Sequence, residues 1–166
     1  MITYKLFRIK QGQLYPLYVN ANKPVPLGIW LKAEAGERTP DGKVKSRLGK
    51  LAYRPGWHSG DMPVARHIGE KKARADKLPS YRPDNQVWCE CEVLTDVDYT
   101  SEAGKRGLKR IPKNGGYWFK TNSNMIGRWY ISGELKVNKI LTDSEVNAIN
   151  KKDGVFDLPR KGIVIS

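Results

Sequence analysis

Short stretches of alternating polar and apolar residues, separated by glycines and prolines, are the feature that most constrains the fold of this chain. In residues 86–94, the clearest stretch, one face carries two valines and two cysteines, and the other carries a tryptophan and two glutamates. Residues 3–9 alternate as well, and a turn at residues 11–13 predicts a hairpin with residues 14–19. Because side chains of a strand point alternately to its two faces, these patterns predict sheet strands. Further short strands are predicted at residues 27–33, 48–53, 117–121, 128–132 and 135–141.

Helical signals are fewer. Pro63 stands where a helix can begin, which predicts a weakly helical, basic segment over residues 64–75. Thr142 and Glu145 have the spacing of a capping box, which predicts a short helix after them. Residues 34–47 are polar and rich in turn formers, as expected of an exposed loop. We therefore predict an α+β fold of mostly antiparallel strands with two short helices.

Length and charge limit the class of protein. A chain of 166 residues has the size of one domain, so residues 1–166 are predicted to form a single domain. The net charge of +13 attracts polyanions such as nucleic acid, nucleotides or anionic surfaces. The sequence shows neither an apolar run of membrane-spanning length nor the hydrophobic core of a signal peptide. We therefore expect a cytoplasmic protein with no membrane partner.

Both histidines of the chain lie in residues 51–67, a segment with the pattern of a strand, a turn and a short helix. Histidine is the side chain whose ordinary pKa lies nearest neutrality, so His58 and His67 are candidate acids or bases. Trp57 offers a stacking surface for a base or a nicotinamide ring, and Arg54 precedes a tight Pro-Gly turn. The alternative interpretation is structural: the histidines cap turns and Trp57 fills the core.

Glu90 and Glu92 project from one face of the strand at residues 86–94, roughly 6.5–7 Å apart. Two close carboxylates repel each other, which raises one pKa and suits acid–base chemistry or stabilisation of a cationic intermediate. The alternative is a solvent-facing surface on which both glutamates pair with lysines and arginines. Cys89 and Cys91 lie on the apolar face, and a lone Cys-x-Cys is a weak metal signal. We expect buried, inert thiols and no metal site.

Two groups of basic residues favour contact with nucleic acid or a nucleotide, because interleaved cations and aromatic residues suit phosphate contacts and base stacking. The first group follows the histidine segment and contains Lys71, Lys72, Arg74, Lys77 and Arg82. The second group contains Lys105, Arg106, Lys109, Arg110 and Lys113. The alternative is two loops whose charges are solvated.

Four motifs occur in a fixed order: Arg-Pro-Gly-Trp-His at residues 54–58, Pro-Val-Ala-Arg-His at 63–67, Val-Trp-Cys-Glu-Cys-Glu-Val at 87–93 and Gly-Gly-Tyr-Trp at 115–118. With these motifs the chain resembles a group of short phage and mobile-element proteins of unassigned function. The resemblance spans about half of the chain. It implies a phage or prophage origin, with action in the host cytoplasm, and it implies no activity.

The layout is also similar to the ADP-ribosyltransferase-like fold. There, a first strand bears Arg or His, here Arg8, and a Gly-aromatic-His strand, here ending at His58, leads into a helix. A later strand carries acidic residues. The resemblance implies that Arg8 and His58 hold NAD, and that Glu92 or Glu90 bonds the ribose and stabilises the oxocarbenium-like transition state. The chain lacks the Ser-Thr-Ser element of that family.

Three functions follow from these observations. The first is an NAD-dependent ADP-ribosyltransferase, or an inactive relative, that modifies nucleic acid or a host factor. Its pocket would contain Arg54, Trp57, His58, His67, Glu90 and Glu92. The second is a non-enzymatic module whose basic loops bind nucleic acid or a host defence protein, and the third is a structural domain of a phage assembly. The position of His58 relative to Glu92 discriminates the first two, because the transferase needs both in one pocket.

Overall fold

A computed structural model describes residues 1–161 and contains one nine-stranded sheet and one two-stranded sheet. The elements, in chain order, are β1 (Ile2–Lys10), β2 (Gln13–Tyr15), β3 (Trp30–Lys32), β4 (Val44–Ser46), β5 (Gly49–Leu51), β6 (Trp57–Gly60), β7 (Gln86–Val93), β8 (Val97–Asp98), α1 (Thr100–Ala103), β9 (Gly115–Phe119), β10 (Trp129–Ser132), β11 (Glu134–Ile140) and α2 (Asp143–Lys151). The prediction of a mostly-strand fold with two short helices is confirmed. In residues 1–161, no helix is long and apolar enough to cross a membrane.

Strand β1 lies inside the large sheet although it comes first in the chain. The strand order is β3-β11-β7-β1-β6-β10-β9-β8, and β2 also pairs with β1. Antiparallel pairing with β7 covers almost the whole of β1, from Ile2 opposite Glu92 to Arg8 opposite Gln86. Strands β8 and β9 pair in parallel, and β4 pairs with β5 in the separate hairpin. The first strand of the chain is thus an interior strand of the sheet, with partners on both of its edges.

The second edge of β1 is paired only at its two ends. Near its start, Tyr4 pairs with Gly60 of β6. Near its end, residues 8–10 pair with β2. Between these points, β1 residues 5–7 have no strand partner on this edge within residues 1–161. The large sheet is therefore open between β1 and β6, and this opening is where a cavity forms.

The alternation predicted for β1 and β7 divides the core between the two faces of the sheet. One cluster of buried residues contains Phe7, Leu14, Val25, Cys89, Cys91, Val93, Tyr130, Leu135 and Val137. On the opposite face, Leu6 and Trp88 pack with Val146 of α2. The expectation that Cys89 and Cys91 are buried is confirmed, and both are free thiols.

The helix predicted over residues 64–75 does not form, and this segment consists of turns and bends with one bridge, from Glu70 to Tyr81. The carbonyls of Ala65 and Ile68 instead accept hydrogen bonds from the guanidinium of Arg82. A side chain distant in sequence therefore satisfies groups that a helix would have paired locally. Helix α1, which the sequence pattern did not predict, has only four residues.

Helix α2 begins as predicted from its capping box. The side chain of Thr142 accepts a hydrogen bond from the backbone N–H of Glu145 at 3.1 Å. In return, the Glu145 carboxylate accepts from the Thr142 N–H at 3.1 Å. Two N–H groups that lack partners at the start of a helix are thereby satisfied.

The segment predicted as an exposed loop, residues 34–47, contains one strand of the small hairpin. Val44 begins β4 and is buried, and it pairs with Leu51 of β5. The hydroxyl of Thr39, which is also buried, accepts a hydrogen bond from the N–H of Lys43 at 3.1 Å. Two apolar side chains of the hairpin, Val44 and Leu51, line the cavity at the sheet opening.

Candidate ligand-binding cleft

A cavity of about 470 Å³ lies at the opening between β1 and β6. Small-molecule sites typically have volumes of roughly 300–1,000 Å³, so the cavity has the size of a ligand site. Lys5 and Leu6 of β1 form part of its wall. Residues 16–20, which follow β2, and residues 51–58, which lead into β6, form much of the remainder. We call this cavity the cleft.

The turn that leads into β6 depends on Gly56. Its φ is +139°, and a Cβ on Gly56 would lie 2.7 Å from Cγ2 of Ile131. The Pro-Gly turn predicted from the sequence therefore requires glycine both for its backbone and for its close packing. Trp57 and His58, the next two residues, point to opposite faces of β6, and both line the cleft because the sheet is open beside them.

Aromatic residues make up a large part of the cleft lining. They are Tyr18, Tyr53, Trp57, His58, His67 and Trp129. The indole of Trp57 is held in place by a hydrogen bond from its Nε1 to the carbonyl of Leu31, at 3.0 Å. The rings of His67 and Trp129 meet edge to face with their centroids 6.2 Å apart. Such rings provide stacking surfaces for a planar ligand.

The charged groups of the lining are mostly cations. Glu34 is the single carboxylate among the described lining residues, and it forms an ion pair with Lys23. Within residues 1–161, no carboxylate lies within 4.0 Å of the charged atoms of Lys5, Lys32 or Arg54. The Nε of Arg54 is buried without a hydrogen-bond partner in the same range. The lining thus contains three cations without a carboxylate partner in the described residues, which suits an anionic ligand.

His58 is a neutral imidazole with a fixed tautomer. Its Nε2 lies 2.8 Å from the carbonyl oxygen of Arg54. A carbonyl only accepts, so Nε2 holds the proton and Nδ1 is the free acceptor. Burial lowers the pKa of His58 to about 4, and the nearby charges of Lys5 and Arg54 lower it further against the effect of the hydrogen bond. Burial and the charge of Arg82 also lower the pKa of His67.

Lys5 is a cleft residue that sequence analysis did not identify. Its Nζ donates a hydrogen bond to the carbonyl of His58 at 2.8 Å, across the opening of the sheet. The same Nζ lies 5.6 Å from the ring centroid of Phe7 and 5.9 Å from that of Trp57. Burial lowers the pKa of Lys5 to about 8. The available signal was a lysine on the apolar face of the first predicted strand.

The cleft brings together four of the predicted site residues, Arg54, Trp57, His58 and His67. No family model matches this sequence, and no curated protein or solved structure is significantly similar to it. The cleft is therefore interpreted from its own side chains. Arg8, Glu90 and Glu92 do not line it.

Arg8 makes its contacts outside the cleft. Its Nη2 donates to the carbonyl of Ala21 at 2.7 Å, and its guanidinium lies 5.4 Å from the ring centroid of Tyr15. Arg8 lies on the β1 face opposite Lys5, at the end that pairs with β2. The β1 residue that reaches the cleft is Lys5 instead.

The two glutamates of β7 are engaged by neighbours on β11. Glu92 forms an ion pair with Lys136 at 2.7 Å, and the hydrogen bond from Lys136 lowers the pKa of Glu92. Glu90 accepts a hydrogen bond from Nδ2 of Asn138 at 3.2 Å. His58 and Glu92 therefore do not share the cleft, and the surface-pairing interpretation describes Glu92.

The predicted basic groups lie on the surface with one exception. Exposed side chains belong to Lys71, Lys72, Arg74, Lys77, Lys105, Arg106, Lys109, Arg110 and Lys113. Arg110 pairs with Glu102 at 2.6 Å, and Lys109 donates to the carbonyl of Tyr53 at 3.3 Å. Placing Arg82 in the first group is wrong, because it is buried against Asp157.

The two cysteines do not line the cleft. Burial raises the pKa of Cys89 to about 12 and raises that of Cys91 as well. Both side chains are therefore protonated thiols at neutral pH, the form that is the weaker nucleophile and metal ligand. The part of the chain that the structure describes contains no group of three or more His, Cys, Asp or Glu residues suited to a metal ion.

Proposed function

We propose that the cleft binds a nucleotide or a related ligand that combines a phosphate with a planar ring. NAD is the first candidate, because the sequence resembles the ADP-ribosyltransferase-like fold. The supporting observation is the combination of an aromatic lining with the cations Lys5, Lys32 and Arg54, which have no carboxylate partner in the described residues. The rings suit stacking on a base or nicotinamide, and the cations suit phosphate oxygens.

Transfer of ADP-ribose is the second candidate. It is favoured by the place of Trp57 and His58 in the cleft wall, as the resemblance implies. The reaction builds positive charge on the ribose, which a nearby carboxylate stabilises. Glu90 and Glu92 lie outside the cleft, and the carboxylate of Glu34 is paired with Lys23. Binding without transfer is therefore the function that the geometry supports better.

The exposed basic groups support a polyanionic partner for the same domain. Seven of their side chains are the predicted nucleic-acid contacts, namely Lys71, Lys72, Arg74, Lys105, Arg106, Lys109 and Arg110. Six of these have no carboxylate within 4.0 Å in residues 1–161, the exception being Arg110. We propose nucleic acid as this partner. From the resemblance to short phage proteins, we also propose a phage origin and action in the host cytoplasm. A host protein is the alternative partner.

The first experiment is calorimetric titration of NAD and of ADP-ribose into the protein, with nicotinamide release measured in the same samples. We expect binding of both ligands. Arg54→Gln removes a charged donor from the cleft and should weaken binding by about tenfold or more. Arg8→Gln is the matched control, because it removes the same charge outside the cleft and should change Kd by less than about twofold.

The Glu92→Gln variant separates binding from transfer. We expect no nicotinamide release by the unmodified protein and unchanged affinity in Glu92→Gln. Release that Glu92→Gln abolishes would establish the transferase and refute binding alone. Absence of heat with every nucleotide would refute the nucleotide site and leave nucleic-acid binding by the basic loops as the function to test.

A further inference from the structure

Lys5 lines the cleft, and its amine has no carboxylate partner in residues 1–161. Its Nζ has one hydrogen bond within residues 1–161, to the carbonyl of His58. The rings of Phe7 and Trp57 lie near the same nitrogen. A primary amine has further hydrogen-bonding positions beyond this one, and Lys5 is part of the cleft lining. The amine is therefore anchored in the wall of the cleft.

This setting increases the share of the neutral amine. A pKa of about 8 leaves about one tenth of the Lys5 side chains neutral at pH 7. A lysine in water ordinarily has a pKa near 10.4, so fewer than about one in a thousand are neutral at that pH. The neutral amine is the nucleophilic form, and desolvation in an apolar pocket is a recognised way to activate it.

We propose that Lys5 is a nucleophile that forms an imine with an aldehyde or ketone ligand bound in the cleft. The lone pair of Nζ attacks the carbonyl carbon, and the oxygen takes up a proton to give a carbinolamine. The nitrogen loses its protons, the hydroxyl group leaves as water, and a C=N bond forms. No oxidant or reductant takes part. These protons pass to and from the solvent.

The cationic lining defines the class of ligand further. Arg54 and Lys32 have no carboxylate partner in residues 1–161, so a carbonyl ligand with an acidic group, such as a phosphate, is favoured. This inference goes beyond nucleotide binding and does not require it.

The probe is pyridoxal 5′-phosphate, an aldehyde with an aromatic ring and a phosphate. The whole protein is mixed with an equimolar amount at about pH 7.5, imines are reduced with borohydride, and modified lysines are mapped by peptide mass spectrometry. Fragmentation of the N-terminal peptide separates Lys5 from the α-amine of Met1. Lys10, exposed at the end of the same strand, is the internal reference.

We expect Lys5 to be labelled about tenfold faster than Lys10. The larger neutral fraction of Lys5 exceeds the loss of intrinsic nucleophilicity that accompanies a lower basicity. Lys5→Arg keeps the charge and removes the amine, so it should abolish the fast labelling. Lys10→Arg should leave the fast labelling unchanged.

If Lys5→Arg does not fold, the pH dependence of labelling in the unmodified protein tests the proposal. In that protein the labelling rate of Lys5 should level off above about pH 8, whereas an ordinary lysine continues to gain reactivity beyond about pH 10. Labelling of Lys5 no faster than Lys10, or a rate that rises like that of an ordinary lysine, overturns the proposal. Excess NAD should protect Lys5 if both proposals hold. Fast labelling that NAD does not slow supports the imine and contradicts NAD binding in the cleft.

Discussion

Arg82 and Asp157 form a buried ion pair in which Nη2 and Oδ1 are 2.8 Å apart and the side chains are only 2% and 4% exposed. The Asp157 carboxylate also accepts hydrogen bonds from Nε1 of Trp88 at 2.8 Å and from the N–H of Ala65 at 3.0 Å. The pair therefore joins three parts of the chain: the segment after α2, strand β7 and the turns that follow Pro63. It supports the side of the cleft on which His67 lies.

Removing the carboxylate of this pair should greatly lower the free energy of unfolding. Asp157→Ala leaves the Arg82 guanidinium buried without its partner, so we expect the free energy of unfolding to fall by about 3–5 kcal/mol in urea denaturation. Asp153→Ala, at an exposed aspartate in the same segment, is the control and should stay within about 0.5 kcal/mol. A decrease below about 1 kcal/mol in Asp157→Ala would contradict a structural role for the pair.

The capping box of α2 should have a smaller, local effect. Thr142→Ala removes the side-chain acceptor for the Glu145 N–H and should lower the free energy of unfolding by about 1 kcal/mol. Ser144→Ala, an exposed position in the first turn, should not lower it. Equal decreases in the two variants would show that the cap contributes nothing specific.

The low pKa of His58 makes stability depend on pH. This pKa is about 4 in the folded protein, whereas an unfolded histidine titrates near about 6.5. Between these values the unfolded chain binds more protons, so the contribution is complete above about pH 6.5 and is lost as the pH falls toward 4. By pH 5 the decrease should reach about 2 kcal/mol.

His58→Gln is the variant that isolates this contribution, because an amide can still donate to the Arg54 carbonyl and does not titrate. Urea denaturation at pH 7 and at pH 5 should show a smaller decrease for His58→Gln than for the unmodified protein. His67, whose pKa shifts in the same direction, is present in both proteins and cancels from the comparison. The same decrease in both would assign the pH dependence to other groups.

Nucleic-acid binding should depend on salt and on particular lysines. Replacing both Lys71 and Lys72 with alanine should weaken binding of a labelled single-stranded oligonucleotide, measured by fluorescence anisotropy. The slope of log K against log salt should fall by about 0.7 for each phosphate that the variant no longer neutralises. The matched control replaces Lys151 and Lys152, an exposed pair at the end of α2 with the same charge. Equal weakening by both double variants would indicate attraction by net charge alone.

Local patterns predicted the strands of this protein better than its site. The alternation of β1 and β7 and the capping box at Thr142 involve neighbours in sequence, so they are visible without a structure. The turns over residues 64–75 were missed because the groups that satisfy them belong to Arg82, which is distant from Ala65 in sequence.

Only some of the cleft residues could be predicted, because local patterns do not show which distant segments meet. Trp57 and His58 belong to one local motif, but Lys5 lines the cleft because residues 5–7 of β1 have no strand partner on the edge toward β6. The resemblance implied that Glu92 shares a pocket with His58, whereas its actual partner, Lys136, is fixed by the pairing of β7 with β11. Pairing between distant strands has no local signature. Residue spacing therefore could not predict the place of Lys5 in the cleft or the partner of Glu92.

The internal place of β1 also has a consequence for biosynthesis. This strand is synthesised well before its main partner β7, which ends only at Val93. During that interval the edge of β1 that pairs with β7 has no partner, which is the condition under which chains associate wrongly. Contacts between distant segments also form slowly. We therefore expect the yield of folded protein in cells to be limited by protection of the nascent β1 edge, and added chaperone capacity to raise it.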